Sequence, residues 1–262
     1  MTLAQTIVLP ARAKLNLDLE VLGRREDGFH ELRTTFQAIE LHDLLEIQVD
    51  TGAAEALTIS GLAIPDADQN SVLKAHRALE EAAGRSLPAR FHLTKVIPPG
   101  SGMGGASSDA AAALRGLKAM HGLDLDLLPI ARRLGADVAF FVCGGAAQAA
   151  GRGDVLTRLP VEKVWFAIAW PGYGLSTAAV YSAWDEVGGE PPNGLRRAAE
   201  RVEPRLHEFA RELASTARSD GWQLTGSGSA FFRRCKNEAE AVAIAAPLRC
   251  WTAVTCAVDA WA

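Results

Sequence analysis

The sequence predicts an α+β fold with two subdomains, because strand and helix patterns mix without the regular βαβ alternation of a doubly wound sheet. A length of 262 residues fits one large or two modest domains, and a hydrophobic content of 48% is ample for a packed core. A second set of elements begins near residue 160. We therefore predict an N-terminal domain over residues 1–158 and a C-terminal domain over residues 159–262.

The first predicted element is a half-buried strand over residues 9–22, where apolar and polar side chains alternate. Lys14 and Asn16 lie on its polar face, where a lysine is most simply interpreted as solvated. The elements predicted next are a charged loop at 23–30, strands at 32–41 and 44–49 around a turn at His42 and Asp43, an amphipathic helix at 70–83 and a strand at 90–97.

A glycine-rich loop at residues 98–109 follows that strand and reads Pro-Pro-Gly-Ser-Gly-Met-Gly-Gly-Ala-Ser-Ser-Asp. Ser107, Ser108 and Asp109 are good helix-capping residues, and the alanine-rich run over residues 110–120 favours a helix directly after them. Glycines let a ligand approach the backbone, and a helix N-terminus offers free N–H groups and the positive end of a dipole. We therefore expect this loop to bind phosphate.

The remaining elements contain two further motifs of interest. Asp137 precedes an apolar, glycine-rich stretch and serves either as a cap or as a functional carboxylate. A second glycine cluster, Thr-Gly-Ser-Gly-Ser at residues 225–229, favours a simple turn unless it meets the first loop in space. The other predicted elements are a helix at 127–134, a strand at 164–170, a loop at 188–194, a long helix at 195–215, strands at 222–224, 230–234 and 251–258, and a helix at 238–246.

The composition disfavours several classes of protein. The net charge of −4 gives no global attraction for nucleic acid or for an anionic membrane surface. The four cysteines lack CxxC or metal-binding spacing, which favours reduced thiols. The sequence contains no signal peptide and no membrane span, so we expect a cytoplasmic protein if the chain is complete.

Two other interpretations of the first glycine loop remain open. Gly100, Gly102 and Gly105 form a literal GxGxxG, as in dinucleotide-binding proteins. That fingerprint calls for an acidic residue at the end of a strand about 20 residues further on. Asp124 and Asp126 instead lie in a polar segment without a strand pattern. A plain glycine-rich turn is the other alternative, whereas a Walker A loop is excluded because no lysine follows the last glycine.

Three separated segments resemble one family, the GHMP small-molecule kinases. Residues 97–111 resemble its central phosphate motif, residues 11–17 its N-terminal motif and residues 224–231 its C-terminal glycine motif. Residues 13–17, 23–32, 36–37 and 134–141 are similar to the members of the family that act on a cytidylyl sugar alcohol. The segment Asp-Gly-Phe-His at residues 27–30 is the most specific part, since related sugar, homoserine and mevalonate kinases lack it.

The resemblance implies a two-part GHMP-kinase-like fold with the active site in the cleft between the parts. It implies ATP-dependent phosphorylation of the 2-hydroxyl of 4-diphosphocytidyl-2-C-methyl-D-erythritol in the non-mevalonate isoprenoid pathway. Such a transfer needs a phosphate cradle, a cation and often a carboxylate that accepts the hydroxyl proton. Asp137 matches the catalytic base and Lys14 the lysine beside it.

The remaining site residues come from the same resemblance. His30 matches the residue that hydrogen-bonds the cytosine, and Phe29 and Tyr181 match aromatic positions that pack on the base. Asn16 and Gly226 match substrate-side positions. ATP is expected at Pro98, Gly100, Ser101, Gly102, Gly104, Gly105, Ser107 and Ser108, with Lys95 and Asn70 on the nucleotide side and with Mg²⁺ near Ser107 or Ser108.

The chain also departs from the family pattern. Phe29 replaces the usual tyrosine, Ser101 and Ala106 replace loop glycines, and Gly194 replaces the aspartate of an Asn-Asp pair. Two functional alternatives therefore stay open: a kinase of homoserine, mevalonate or a sugar, and a nucleotide-binding sensor without turnover. In each case we expect a small-molecule partner, no nucleic acid or membrane, and a monomer or weak homodimer.

Overall fold

The structure is a computed structural model that describes residues 5–49, 56–64, 69–216 and 221–259. Within these residues, strands and helices mix as the sequence predicts. In chain order they are β1 (Gln5–Arg24), β2 (His30–Val49), β3 (Ala56–Gly61), α1 (Ser71–Ala83), β4 (Arg90–Lys95), α2 (Gly105–Met120), α3 (Leu127–Leu134), α4 (Ala136–Cys143), β5 (Ala146–Ala150), β6 (Val155–Leu159), β7 (Trp165–Trp170), α5 (Thr177–Val187), α6 (Arg196–Val202), α7 (Arg205–Thr216), β8 (Gln223–Leu224), β9 (Phe231–Cys235), α8 (Glu238–Ala245) and β10 (Trp251–Cys256). None of the helices in these ranges is long and apolar enough to cross a membrane.

Helices α1 and α3 form where the sequence predicts them, each with a capping side chain at its start. Helix α3 has the predicted bounds, and Asp126 caps it by accepting a hydrogen bond from the Leu128 amide at 3.0 Å. Helix α1 begins one residue after Asn70, whose side chain accepts a hydrogen bond from the Val72 amide at 2.8 Å. In both α1 and α3, the capping side chain belongs to the residue directly before the helix, so the start signal is local in the sequence.

The predicted turn at His42 and Asp43 is wrong, because β2 runs without interruption through both residues. Asp43 is fully buried, and its carboxylate accepts hydrogen bonds from the backbone amides of Val96 at 2.5 Å and Ile97 at 2.8 Å. Both partners lie more than fifty residues further along the chain than Asp43. A residue type that usually favours turns is therefore held in a strand by distant contacts.

The predicted long helix over residues 195–215 is also wrong, because the chain forms two helices, α6 and α7, instead of one. Glu203 between them adopts an extended conformation with φ −137° and ψ 92°. Proline disfavours the helical conformation of the preceding residue and supplies no N–H group. Pro204 therefore accounts for the interruption.

The start of α2 differs from the capping prediction. The N-cap is Gly104, in a left-handed conformation with φ +74°, and no side chain caps this end. Ser107, Ser108 and Asp109 therefore lie inside the first turns of the helix rather than ahead of it. Strands β3, β5 and β6 and helices α4 and α5 are elements that the sequence did not predict.

The chain divides into two compact units that interleave along the sequence. The first comprises the described parts of residues 1–13, 42–97 and 104–143, and the second those of 14–41, 98–103 and 144–262. The predicted domains, residues 1–158 and 159–262, are each one continuous stretch, whereas each unit gathers three stretches. The boundary after residue 158 stays a prediction.

In the first unit, helices pack together beside a small sheet. Strand β4 pairs in parallel with β3 and antiparallel with the later part of β2. Helix α2 packs against α1 and α4. A Cβ atom on Gly116 would lie 2.5 Å from Ile47 Cδ1 and 2.6 Å from Leu9 Cδ1. The absence of a side chain at residue 116 therefore allows α2 its close approach to the sheet.

In the second unit, the earlier part of β2 pairs with β5, which pairs with β6. A separate antiparallel sheet has the strand order β10-β7-β9-β8. Helix α8 packs on this sheet, and α5 packs on α6. The hydrophobic core of this unit includes Val180, Leu206, Leu224 and Phe231.

Candidate active site

The two glycine clusters meet within the second unit. The Ser229 amide donates a hydrogen bond to the Gly100 carbonyl at 3.2 Å, and the Ala230 amide donates one to the Ser101 carbonyl at 3.0 Å. Gly102 and Gly226 both have positive φ, +80° and +54°. The second cluster therefore forms a turn and also supports the glycine-rich loop at residues 98–109, here called the phosphate loop.

The backbones of the two loops touch closely at Gly102. A Cβ atom built there would lie 2.2 Å from the Thr225 carbonyl oxygen and 3.0 Å from the Gly228 amide nitrogen. Rotation of a side chain cannot relieve a clash with backbone atoms. The loop geometry thus requires glycine both for its φ and for this contact.

We predict that Gly102→Ala lowers the free energy of unfolding and weakens ATP binding. A matched control is Gly84→Ala, since Gly84 also has a positive φ of +64° but open space around its Cβ position. The control is expected to lose about 1–2 kcal/mol from left-handed strain alone. Gly102→Ala is expected to lose about 1–3 kcal/mol more through overpacking. Equal losses in urea unfolding of the two variants would contradict the contact between the loops.

The later part of the phosphate loop enters α2 in the first unit. Ser107 is partly exposed, whereas Ser108 and Asp109 are buried, with exposed fractions of 0% and 2%. The Ser108 Oγ atom and the Asp109 Oδ1 atom have no hydrogen-bond partner among the described residues. Ser107 is consequently the serine that can reach a ligand without rearrangement of the helix.

Lys95 lies beneath the start of α2 in a buried ionic triad with Asp43 and Asp109. Its ammonium donates to Asp43 Oδ2 and, at 2.7 Å, to Asp109 Oδ2. All three residues are at most 4% exposed. A Cβ atom on Gly105 would lie 3.3 Å from the Lys95 Nζ atom, so the triad is adjacent to the phosphate loop.

The electrostatics of the triad follow from its burial. Burial alone would lower the pKa of Lys95, but the two carboxylates raise it above its ordinary value. Burial raises the pKa of Asp109 to about 7, against the opposing effect of the Lys95 ammonium. The family resemblance places Lys95 on the nucleotide side of the expected ATP site. In the structure its ammonium group is instead hydrogen-bonded to the carboxylates of Asp43 and Asp109.

Lys14 and Asn16 form a buried polar network in the second unit, each with 4% exposure. The Lys14 ammonium donates to Asn16 Oδ1 at 2.5 Å and lies 5.1 Å from the centre of the Phe36 ring. The Asn16 amide group donates to Thr34 Oγ1 at 2.8 Å, and the Asn16 backbone N–H donates to Thr225 Oγ1 at 3.0 Å. The interpretation of Lys14 as a solvated surface residue is therefore wrong.

His30 lies at the start of β2, in the second unit, with three side chains of α5 around it. Tyr181 stacks on its ring at 4.9 Å between centroids, and Trp184 contacts the ring edge-on at 5.5 Å. The Asp185 carboxylate lies 2.7 Å from His30 Nε2. The structure thus brings together the predicted residues His30 and Tyr181.

Four other predicted residues lie elsewhere. Phe29 is 54% exposed, with the Arg152 guanidinium 4.9 Å from its ring centre. Asn70 is the N-cap of α1 described above, and Pro98 is buried at the start of the loop. Asp137 lies partly exposed in the first turn of α4, where the helix dipole favours a negative charge.

Sequence reasoning missed several residues that organise these groups. Asn193 is buried, and its side-chain amide donates to the carbonyls of Leu224 at 2.7 Å and Gly226 at 3.0 Å. Asp185 and Asp43 were also missed. For Asn193 a signal existed, because an asparagine beside two prolines and a glycine is typical of a structured loop.

No metal cluster of protein side chains is present in the described ranges. There, no group of three or more His, Cys, Asp or Glu side chains could hold a metal ion. Mg²⁺ is commonly bound through substrate phosphates, water and only one or two protein ligands. The hydroxyl of Ser107 at the phosphate loop is consistent with that mode of binding.

Comparisons with known proteins agree with the architecture. Residues 70–145 match the family model described as the GHMP kinases N terminal domain. A solved structure described as 4-(cytidine 5'-diphospho)-2C-methyl-D-erythritol kinase is similar with a TM-score of 0.80 and 34% identity, over 96% of this chain and all of that one. A homoserine kinase from Cytophaga hutchinsonii, with a TM-score of 0.69 and 18% identity over 99% of this chain and 96% of that chain, shares the fold.

Sequence relatives narrow the family further. The chain is similar to 4-diphosphocytidyl-2-C-methyl-D-erythritol kinase of Pseudomonas syringae pv. syringae, with 37% identity over 92% of this chain and 90% of the relative. It is 42% identical over 178 residues, 66% of this chain and 62% of the relative, to the protein of the same name from Pelotomaculum thermopropionicum. The phosphate loop, the Lys14 network and the histidine in its aromatic surroundings thus occur in a chain that belongs to the 4-diphosphocytidyl-2-C-methyl-D-erythritol kinase family of the GHMP kinases.

Proposed function

We propose that the protein transfers the γ-phosphoryl group of ATP to the 2-hydroxyl of 4-diphosphocytidyl-2-C-methyl-D-erythritol. The observation that carries this proposal is the group formed by His30 with Tyr181 and Trp184, which offers aromatic surfaces and a polar ring edge to a base. Kinases of small alcohols without a base have no need of such a group. The names of the similar proteins support the same substrate.

The phosphate loop is the proposed ATP site. Its left-handed glycines let the backbone turn into the N-terminus of the 16-residue helix α2. Free N–H groups at such an end bind phosphate oxygens. Ser107 is the proposed protein ligand of Mg²⁺, which when bound neutralises charge on the phosphates during transfer.

Asp137 is the proposed general base. In the reaction, the 2-hydroxyl oxygen of the substrate forms a bond to the γ-phosphorus, and the bond from that phosphorus to the β–γ bridging oxygen breaks, releasing ADP. The hydroxyl proton passes to the Asp137 carboxylate. Lys14, held by Asn16, is the proposed cation near the transferring group.

The test is ADP release in a coupled assay with purified protein and ATP. The acceptors are 4-diphosphocytidyl-2-C-methyl-D-erythritol, homoserine, mevalonate and galactose, each over a range of concentrations. We expect turnover with the cytidylyl substrate and none with the other three. Turnover with another acceptor alone, or ATP binding without turnover on any, would overturn the proposal. The cytoplasmic location and the monomer or weak homodimer stay predictions.

A further inference from the structure

One ring nitrogen of His30 is engaged by a carboxylate. His30 Nε2 lies 2.7 Å from Asp185 Oδ1, and the His30 side chain is only 8% exposed. Asp185 follows Trp184 and lies four residues after Tyr181 on α5, so the three side chains lie on one side of that helix. The helix therefore packs against the imidazole and also offers it a hydrogen-bond acceptor.

An ionised carboxylate only accepts hydrogen bonds, whereas a neutral imidazole has one donor nitrogen and one acceptor nitrogen. In a neutral imidazole, contact with the Asp185 carboxylate favours the hydrogen on Nε2 and leaves Nδ1 as the acceptor. Within the described ranges, Nδ1 has no hydrogen-bond partner, and it is not among the buried unpaired atoms. The acceptor nitrogen of His30 is thus available to a ligand.

The two common pyrimidine bases differ at the position that such an acceptor would contact. Cytosine carries a 4-amino group that donates hydrogen bonds, whereas uracil carries an oxygen that only accepts them. An imidazole with an acceptor at Nδ1 pairs with the amino group and repels the oxygen. The opposite tautomer would have the opposite preference.

We propose that Asp185 is a positioning residue that fixes the tautomer of His30 and thereby selects a cytosine base over a uracil base. The choice of pyrimidine ligand rests on the proposed function, whereas the tautomer rests on the contact of His30 with Asp185. Loss of one buried hydrogen bond, which leaves a buried polar group unpaired, corresponds to about tenfold to hundredfold in affinity.

The first test compares the binding of CMP and UMP by calorimetry at pH 8, where an imidazole is ordinarily neutral. Asp185→Asn keeps the side-chain size, but its amide can donate to Nε2 and so permits the other tautomer. We expect the preference of the wild-type protein for CMP over UMP to fall about tenfold or more in this variant. Equal weakening of both ligands would indicate a merely structural role and overturn the proposal.

Arg24→Gln is the matched control. Arg24 forms an ion pair with Asp185 at 3.6 Å, and its side chain is 63% exposed. This change retains the carboxylate and its contact with His30, so CMP selectivity should stay at the wild-type value. A loss of selectivity equal to that of Asp185→Asn would show that the charge cluster, rather than the tautomer, determines the preference.

A second test reads the tautomer directly and needs no substrate. Long-range proton–nitrogen NMR spectra of the ¹⁵N-labelled protein distinguish an imidazole protonated at Nε2 from one protonated at Nδ1, and His30→Gln assigns the signal. We expect Nε2–H in the wild type and a loss of that form in Asp185→Asn. Nδ1–H in the wild type would overturn the inference.

The two proposals fail separately. If the cytidylyl substrate were not phosphorylated but CMP selectivity depended on Asp185, the proposed function would fall and this inference would stand. If phosphorylation occurred while Asp185→Asn kept full selectivity, the reverse would hold. In a His30→Gln background, Asp185→Asn should no longer change selectivity, because its effect passes through the imidazole.

Discussion

Replacement of Asp137 by asparagine is expected to lower kcat by about 10²–10⁴-fold, the usual contribution of a general base. Asp137 lies partly exposed in the first turn of α4. Asparagine preserves its size and most hydrogen-bonding capacity but cannot take up the hydroxyl proton. The unfolding midpoint should therefore change little, and a coupled ADP assay together with thermal unfolding separates the two effects.

A suitable control is Asp124→Asn, which removes an exposed carboxylate from a loop of the same unit. Its kcat should match that of the wild type, because surface substitutions of this kind are usually within about 0.5 kcal/mol of neutral. Near-normal turnover by Asp137→Asn would refute its role as the base. A kcat loss that accompanied a large loss of stability would instead indicate a structural role.

Replacement of Lys95 by methionine is expected to lower the free energy of unfolding by about 3–5 kcal/mol, as when one partner of a buried ion pair is removed. Methionine fills a similar volume but leaves Asp43 and Asp109 without their shared cation. One carboxyl must then take up a proton or remain charged and unpaired in the interior. Urea unfolding at neutral pH measures the loss.

Two further variants separate charge from packing in this triad. Lys74→Met removes an exposed lysine of α1 and should change stability by less than about 0.5 kcal/mol. Adding Asp109→Asn to Lys95→Met removes one unpaired carboxyl and should recover part of the lost stability. If the double variant were as unstable as Lys95→Met or less stable, the loss would come from packing, and the electrostatic explanation would be wrong.

The fold was predictable where local signals determine structure. Helix α3 formed as expected because Asp126 caps it and an apolar pattern follows. The break between α6 and α7 was missed, although Pro204 in the sequence could have indicated it. The continuity of β2 was not, because the partners that hold Asp43 in the strand lie more than fifty residues away.

In the candidate site, too, the sequence pointed to individual residues but not to their long-range contacts. Motif resemblance pointed to Lys14, Asn16 and His30, and the roles expected of them came from that resemblance. It gave no sign that Asn16 would bond to Thr34 and Thr225, since these partners come from separate parts of the sequence. Long-range partners also explain why Asp185 was missed: an aspartate near the end of a helix is unremarkable until His30, 155 residues earlier in sequence, is placed beside it.

The interleaving of the two units constrains how this protein can be recombined with a relative. Each unit gathers three separated stretches of the chain. A chimera with a single crossover, at residue 158 or elsewhere, would therefore not exchange one whole unit for its counterpart. Exchange of a whole unit would require several crossovers, including one inside the phosphate loop between residues 103 and 104. Point substitutions, such as those proposed around His30, are consequently a simpler way to test substrate preference than the exchange of a whole unit.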